Sequence, residues 1–234
     1  MYDRYTIYSS ADVISKTMMV DVPEGYEPSY NSAPTQLLPV ITSENRRGIS
    51  FFHWGLMAKW SNNKSSISAK SINLIAEKAF QKPGYKRQIQ THRCVVPING
   101  FYAWKRVSKK QLVPYYFFST QVPLLGIAGL WEEFEDIDGM VSHSFIILMV
   151  PSSPTLIEFE SEMPAILDPN ECIAWLDTDD LMENEKLIES ISIKHASLTS
   201  HPVSPEIKDV DNNKSTLIES VPASDQMGNY TLFS

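Results

Sequence analysis

Cysteine is nearly absent from this chain of 234 residues: Cys94 and Cys172 are the only two. Two thiols build neither a disulfide framework nor a four-cysteine metal site. Stability must therefore come from a packed core, and reduced thiols in the cytoplasm are expected. Glycine is sparse too. Gly25, Gly48, Gly55 and Gly84 stand alone, so no glycine-rich loop is available to cradle a phosphate. The five histidines, His53, His92, His143, His195 and His201, show no metal-ligand spacing. No metal and no cofactor are expected. The longest strongly apolar run, Phe145 to Val150, falls far short of the roughly 20 residues that span a bilayer. The opening Met-Tyr-Asp-Arg-Tyr lacks the apolar stretch of a signal peptide. No membrane association is expected.

What is present fits one folded domain over residues 1–234. Apolar residues make up 43% and charged residues 21%, which excludes a disordered tail, and no linker divides the chain. The net charge of −8 argues against nucleic acid, but it is unevenly placed. From Arg46 to Lys110 there are fourteen Lys and Arg against one acid, Glu77, an excess of +13. From Asp168 onward there are thirteen acids and four lysines, an excess of −9. A local basic patch can attract a polyanion whatever the sum, although a run in sequence need not be a patch in space.

The element pattern predicts an α+β domain built round a curved, mostly antiparallel sheet with peripheral helices. Strands are expected over 4–9, 37–42, 49–57, 94–98, 101–106, 115–119, 124–132 and 142–150. Helices are expected over 10–19, 71–80, 84–91, 153–159, 169–176 and 179–190. The proline-rich stretch 21–39 reads as an extended loop. Asn99-Gly100 and Asp136-Ile137-Asp138-Gly139 read as hairpin turns.

Short blocks recur in a recognisable order: Asn31-Ser32-Ala33-Pro34-Thr35, Trp54-Gly55-Leu56 with Trp60 beyond, Ser68-Ala69-Lys70, Arg93-Cys94-Val95-Val96-Pro97 and Gly100-Phe101-Tyr102-Ala103-Trp104. Ala128-Gly129-Leu130-Trp131, Met163-Pro164-Ala165-Ile166-Leu167, Trp175-Leu176 and Pro202-Val203-Ser204 follow. Taken together, the chain resembles the SOS response-associated peptidase (SRAP) family of abasic-site processing proteins over about residues 1–220. The resemblance implies a single α+β domain around a barrel-like sheet, with a groove for single-stranded DNA. It also implies a chemistry. An N-terminal cysteine, exposed by methionine removal, attacks the open-chain aldehyde of an abasic site through its amine and closes a thiazolidine with its thiol. An asparagine, a glutamate and a histidine assist, the last two by moving protons.

All four of those positions differ here. The family opens Met-Cys-Gly-Arg, and this chain opens Met1-Tyr2-Asp3-Arg4. Bulky Tyr2 should leave Met1 in place and supplies no thiol. Asn-Ala-Arg becomes Ser68-Ala69-Lys70, Gly-Phe-Tyr-Glu-Trp becomes Gly100-Phe101-Tyr102-Ala103-Trp104, and His-Asp-Arg-Met-Pro becomes Glu160-Ser161-Glu162-Met163-Pro164. Glu162 reverses the charge of an arginine that would meet phosphate. No catalytic residue is therefore assigned: Tyr2, Ser68, Ala103 and Glu160 are degenerate family positions. The candidate DNA contacts are Arg4, Asn31, Pro34, Trp54, Lys70, Arg93 and Trp104. For the tryptophans packing competes with base stacking, and for Arg4 and Arg93 a structural ion pair competes with a phosphate contact. Cys94, two residues from His92, reads as a buried small hydrophobe, and Glu158, Glu160 and Glu162 as a solvated loop.

Three functions remain open. The first is a non-catalytic family member that binds single-stranded DNA. The second is an interaction domain without a DNA role. The third is an active enzyme using another nucleophile, such as the Met1 amine.

Overall fold

The structure, a computed structural model, describes residues 2–55, 71–135, 139–194 and 198–230. The elements in chain order are β1 (Tyr5–Ile7), α1 (Ala11–Met18), β2 (Ser29–Ser32), β3 (Leu37–Thr42), β4 (Ser50–Trp54), β5 (Asn73–Ile75), α2 (Ala76–Gln81), α3 (Pro83–Thr91), β6 (Arg93–Ile98) and β7 (Gly100–Arg106). There follow β8 (Leu112–Ser119), β9 (Leu125–Glu135), β10 (Val141–Pro151), β11 (Glu162–Pro164), β12 (Ile166–Leu167), α4 (Pro169–Asp177), α5 (Leu181–Lys194) and β13 (Leu198–Pro202), then 3₁₀ turns at Pro205–Lys208 and Ser215–Ile218.

Strands β10, β4, β3, β6 and β9 pair in that order, and β9 pairs back to β10, closing a five-stranded barrel. Closure removes the exposed edges an open sheet would carry. The seam is mixed: β10 runs parallel to β4, with Phe145 opposite Trp54, and antiparallel to β9, with Phe145 opposite Trp131. A second sheet, in the order β13-β8-β7-β1-β2, is wholly antiparallel. The run Phe145–Val150 is buried on every residue. It lies in the strand at the barrel seam, covered on both faces, which is why it reads as continuous rather than alternating hydrophobicity.

The helix ends follow local chemistry. The Ser10 hydroxyl accepts from the Val13 amide at 3.4 Å to start α1. Asp168 and Glu171 form a reciprocal capping box on α4, with Pro169 in its first turn. Pro83 opens α3.

Four local expectations are corrected. The stretch 21–39 is not one loop, because Ser29–Ser32 is a strand paired to β1. Residues 73–75, expected as helix, are β5, held parallel to Ile147–Met149, and the helix begins only at Ala76. Tertiary pairing here overrides helical spacing. Residues 153–159 form turns rather than a helix, with the Leu156 and Ile157 amides donating to the Ser153 carbonyl.

Asn99-Gly100 is not a hairpin turn: β6 belongs to the barrel and β7 to the second sheet. Asn99 is the corner post between them. Its Oδ1 accepts from the Tyr8 and Ser9 amides at 2.7 and 3.0 Å, and its Nδ2 donates to Ser9 Oγ and the Pro123 carbonyl at 2.6 and 2.8 Å. At Gly100 a Cβ would sit 2.4 Å from the Phe117 carbonyl oxygen. Gly100→Ala is thus expected to cost at least about 1–3 kcal/mol, read as a lowered urea midpoint with unchanged slope; an unchanged midpoint would show that the corner yields freely. The hairpin expected at 136–139 does join paired strands, since Val141 lies opposite Glu135, but residues 136–138 themselves are outside the described residues.

Candidate functional site

The chain enters the fold at the junction of the two sheets. The carbonyl of Tyr2 accepts from Asn73 Nδ2 at 3.0 Å, tying the first residues to β5. The Tyr2 ring meets Phe101 edge-on, with centroids 5.5 Å apart, and is only 2% exposed. Burial raises its phenol pKa far above the usual value; Ser152 works against that shift, and the charge of Glu160 adds to it. Tyr2 is therefore a neutral plug seated beside the turn that carries Glu160.

Strand alternation sorts the next residues. Phe101 and Ala103 point into the main core. Tyr102 and Trp104 point the other way, toward a small second core of Tyr102, Tyr116, Val203, Ile207 and Leu217. Ala103 is 1% exposed, on the strand face that touches Tyr2 through Phe101. Lys105 continues that face: its Nζ pairs with Glu158 Oε2 at 3.0 Å and lies 5.8 Å from the Phe159 ring centre.

Beyond Tyr102, whose amide donates to the Arg4 carbonyl at 3.1 Å, β7 has no partner on its β1 side among the described residues. A cavity of about 470 Å³ borders this part of β7. Trp104, Arg106 and Leu112 line it together with Phe159, Glu160, Lys208 and Gln226. It gathers half-buried aromatics, two cations and one carboxylate, a set able to stack a flat ring and hold an anionic group.

Arg4 Nη1 donates to the Asp3 carbonyl at 2.7 Å and lies 3.5 Å from its carboxylate. The Arg4 Nε is buried with no partner among the described residues, and the side chain is 13% exposed. Pro34 is half-buried in the turn before Thr35, whose φ is 73°. Trp54 is 1% exposed, donates to the Ile72 carbonyl at 3.1 Å and stacks on Phe145. Asn31 is 2% exposed and its amide donates to the carbonyls of Ile207, Asp209 and Asn212.

Arg93 is also 2% exposed, so it is not a surface group. Its guanidinium donates to the carbonyls of Ile89, Gln90, Trp175 and Leu176. Burial lowers its pKa, opposed most by the charge of nearby Asp179. Ser68, Lys70 and Trp60 lie outside the described residues.

Thus Tyr2, Ala103, Glu160 and Trp104 are drawn to one region, whereas Asn31, Trp54 and Arg93 are interior. Sequence reasoning missed Asn73, Phe159, Arg106 and Lys208. Arg106 lay inside the basic run and could have been singled out. Lys208 came from the acidic part, and nothing in its neighbours pointed to it. The two charge blocks also meet: Arg46 Nη1 pairs with Asp177 at 2.7 Å.

Both thiols are interior. Cys94 is 0% and Cys172 3% exposed, and burial pushes both pKa values far above the ordinary thiol range. Among the described residues no cluster of three or more His, Cys, Asp or Glu could hold a metal ion, and no helix is long and apolar enough to cross a membrane.

Residues 1–210 match the family model described as SOS response associated peptidase (SRAP). The chain is 28% identical over 226 residues to the abasic site processing protein YoqW of Bacillus subtilis, covering 94% of this chain and all of that one. It is 32% identical over 222 residues to the abasic site processing protein HMCES of Xenopus tropicalis, covering 80% of this chain and 64% of that one. A crystal structure of a Bacteroides thetaiotaomicron protein superposes with a TM-score of 0.76 at 21% identity, covering 93% of this chain and 99% of that one. That likeness shows a shared fold. With the barrel, the second sheet and a match over residues 1–210, the chain belongs to the SRAP family.

Proposed function

We propose that this SRAP protein binds single-stranded DNA in the cytoplasm without forming the thiazolidine crosslink at abasic sites. The carrying observation is the state of its thiols. The chain has two, both buried with their thiolates disfavoured, and the position next to the first residue holds a buried tyrosine. Ring closure on an aldehyde needs a thiol that can reach it. DNA as the ligand class is supported by relatives named as abasic site processing proteins and by the cavity that joins Trp104 to Arg106 and Lys208. Stacking and phosphate contacts need no nucleophile. Arg4 and Pro34, at least partly accessible, and Lys70 stay in the proposed contact set. Asn31, Trp54 and Arg93 are buried and leave the contact set.

The test is anisotropy with a labelled single-stranded oligonucleotide over a salt series. Affinity is expected to fall with salt, each phosphate contact contributing a log–log slope of about −0.7. Trp104→Ala should weaken binding at least roughly fivefold, with Trp104→Phe retaining most of it. Arg106→Glu with Lys208→Glu should flatten the slope by about 0.7 for each phosphate that is no longer neutralised. Binding that is absent at low salt, or indifferent to these changes, would sink this reading in favour of an interaction domain.

A further inference from the structure

A second cavity lies on the other side of the segment that carries Glu160 and Glu162. It opens between α2, the end of β10, β11 and α5, and encloses about 500 Å³. Its floor is apolar: Phe80, Met149 and Ile188 are 5%, 6% and 2% exposed. Its rim carries Glu77, Glu162 and Glu185, with Lys78 the single cation among the described residues that line it. The neighbouring cavity has the opposite character, with Arg106 and Lys208 against Glu160. Glu160 lines one and Glu162 the other, so this short segment divides a cationic site from an anionic one.

Charge and shape together narrow what the second groove can take. An excess of acids repels phosphate, so nucleic acid is disfavoured there. The rim carboxylates do not converge, since no cluster of three or more His, Cys, Asp or Glu forms among the described residues. A single metal ion is therefore a poor match, and several separated cations are a good one. The apolar floor adds a demand that a simple polycation does not meet: Phe80, Met149 and Ile188 are already nearly sealed, so the contact is stabilised by an incoming apolar side chain that leaves water to pack against them. We propose that this groove docks a cationic polypeptide segment that seats one bulky aliphatic or aromatic side chain on the floor and sets lysines or arginines against the glutamate rim. This proposal does not depend on the DNA-binding reading, because the two cavities have separate linings.

The probe is a labelled short peptide of alternating lysine and arginine around one central leucine, titrated into the full-length protein. It is expected to bind with a Kd on the order of 10–100 µM. Replacing the central leucine by alanine should weaken binding about tenfold. Glu162→Lys combined with Glu185→Lys should weaken it at least about tenfold and reduce its salt dependence. Both residues are half-exposed, so the fold should persist, and the exposed Glu77→Lys provides an independent variant with the same expected direction. Equal binding of a peptide with glutamates in place of its cations, or an unchanged Kd in both charge-reversed variants, would overturn the proposal. Failure of DNA binding with peptide binding intact would remove only the DNA reading.

Discussion

Mixed with single-stranded DNA bearing one abasic site, the protein is expected to leave no heat-stable covalent adduct on a denaturing gel. The family chemistry requires an amine to condense with the aldehyde and a neighbouring thiol to close the ring. Here the corresponding side chain is Tyr2, a buried phenol. The two cysteines cannot substitute for it, because both are enclosed by the core. A borohydride-independent adduct that survives heating would refute the reading directly. Tyr2→Cys tests how far the rest of the site has decayed. It restores the amine–thiol pair if the first methionine is removed, so slow reaction with the aldehyde is expected. The helpers are still missing at Ser68, Ala103 and Glu160. General acid–base assistance is worth about 10²- to 10⁴-fold, and the variant should trail an intact relative by at least that margin. The structure adds a further handicap: the tyrosine ring packs on Phe101, and a cysteine would leave that space empty. Adding Ser68→Asn, Ala103→Glu and Glu160→His should recover much of the rate. A single variant as fast as an intact relative would show that the site had not decayed.

The largest effect on stability is expected from Arg93→Ala. The four carbonyls that Arg93 satisfies belong to the last turns of two helices, Ile89 and Gln90 in α3, Trp175 and Leu176 in α4. Last-turn carbonyls have no partner within their own helix, and they carry the negative end of its dipole. One buried guanidinium therefore caps two helices at once and fastens both to the start of β6. Truncation would leave buried acceptors unpaired, at about 1–3 kcal/mol for each one left dry. With some relaxation a total of about 3–5 kcal/mol is expected, or roughly 10 °C in Tm for a chain of this size. Arg93→Lys should recover only part, because an ammonium lacks the planar fork that reaches both helices. Thermal unfolding of the two variants decides it: a drop of less than about 3 °C in Arg93→Ala would mean that water reaches these carbonyls readily.

Much of the fold was legible because strand composition and helix caps are local. The barrel strands from Cys94 onward, the Ser10 cap and the Pro83 start all appear where local chemistry puts them. What failed depended on partners remote in sequence. Asn73-Leu74-Ile75 has helical spacing, yet it is a strand because β10 offers it parallel hydrogen bonds. Asn99-Gly100 carries a hairpin signature, yet it serves as a corner because Tyr8, Ser9 and Pro123 come to Asn99 from elsewhere in the chain. At the site the same limit holds. Sequence order placed Tyr2, Ala103 and Glu160 at matching family positions, and folding draws them to one region. Only three-dimensional placement separates Trp104, which lines a cavity, from Trp54, which is sealed inside. Arg93 could not be resolved from sequence, because its partners are backbone carbonyls, which leave no trace in residue identity.

The bonds of Asn31 bear on how the molecule is made. Its amide waits for carbonyls 176 to 181 residues downstream, and the Tyr102 face of β7 waits for Val203, Ile207 and Leu217. During synthesis, which proceeds at roughly 5–20 residues per second, the barrel strands are all available to the emerging chain well before these final segments leave the ribosome. The outer face of β7 and β8, with Tyr102 and Tyr116, is thus bare during that interval. Nascent chains stalled before residue 203 would present it to chaperones, and completion of the last segment would withdraw it.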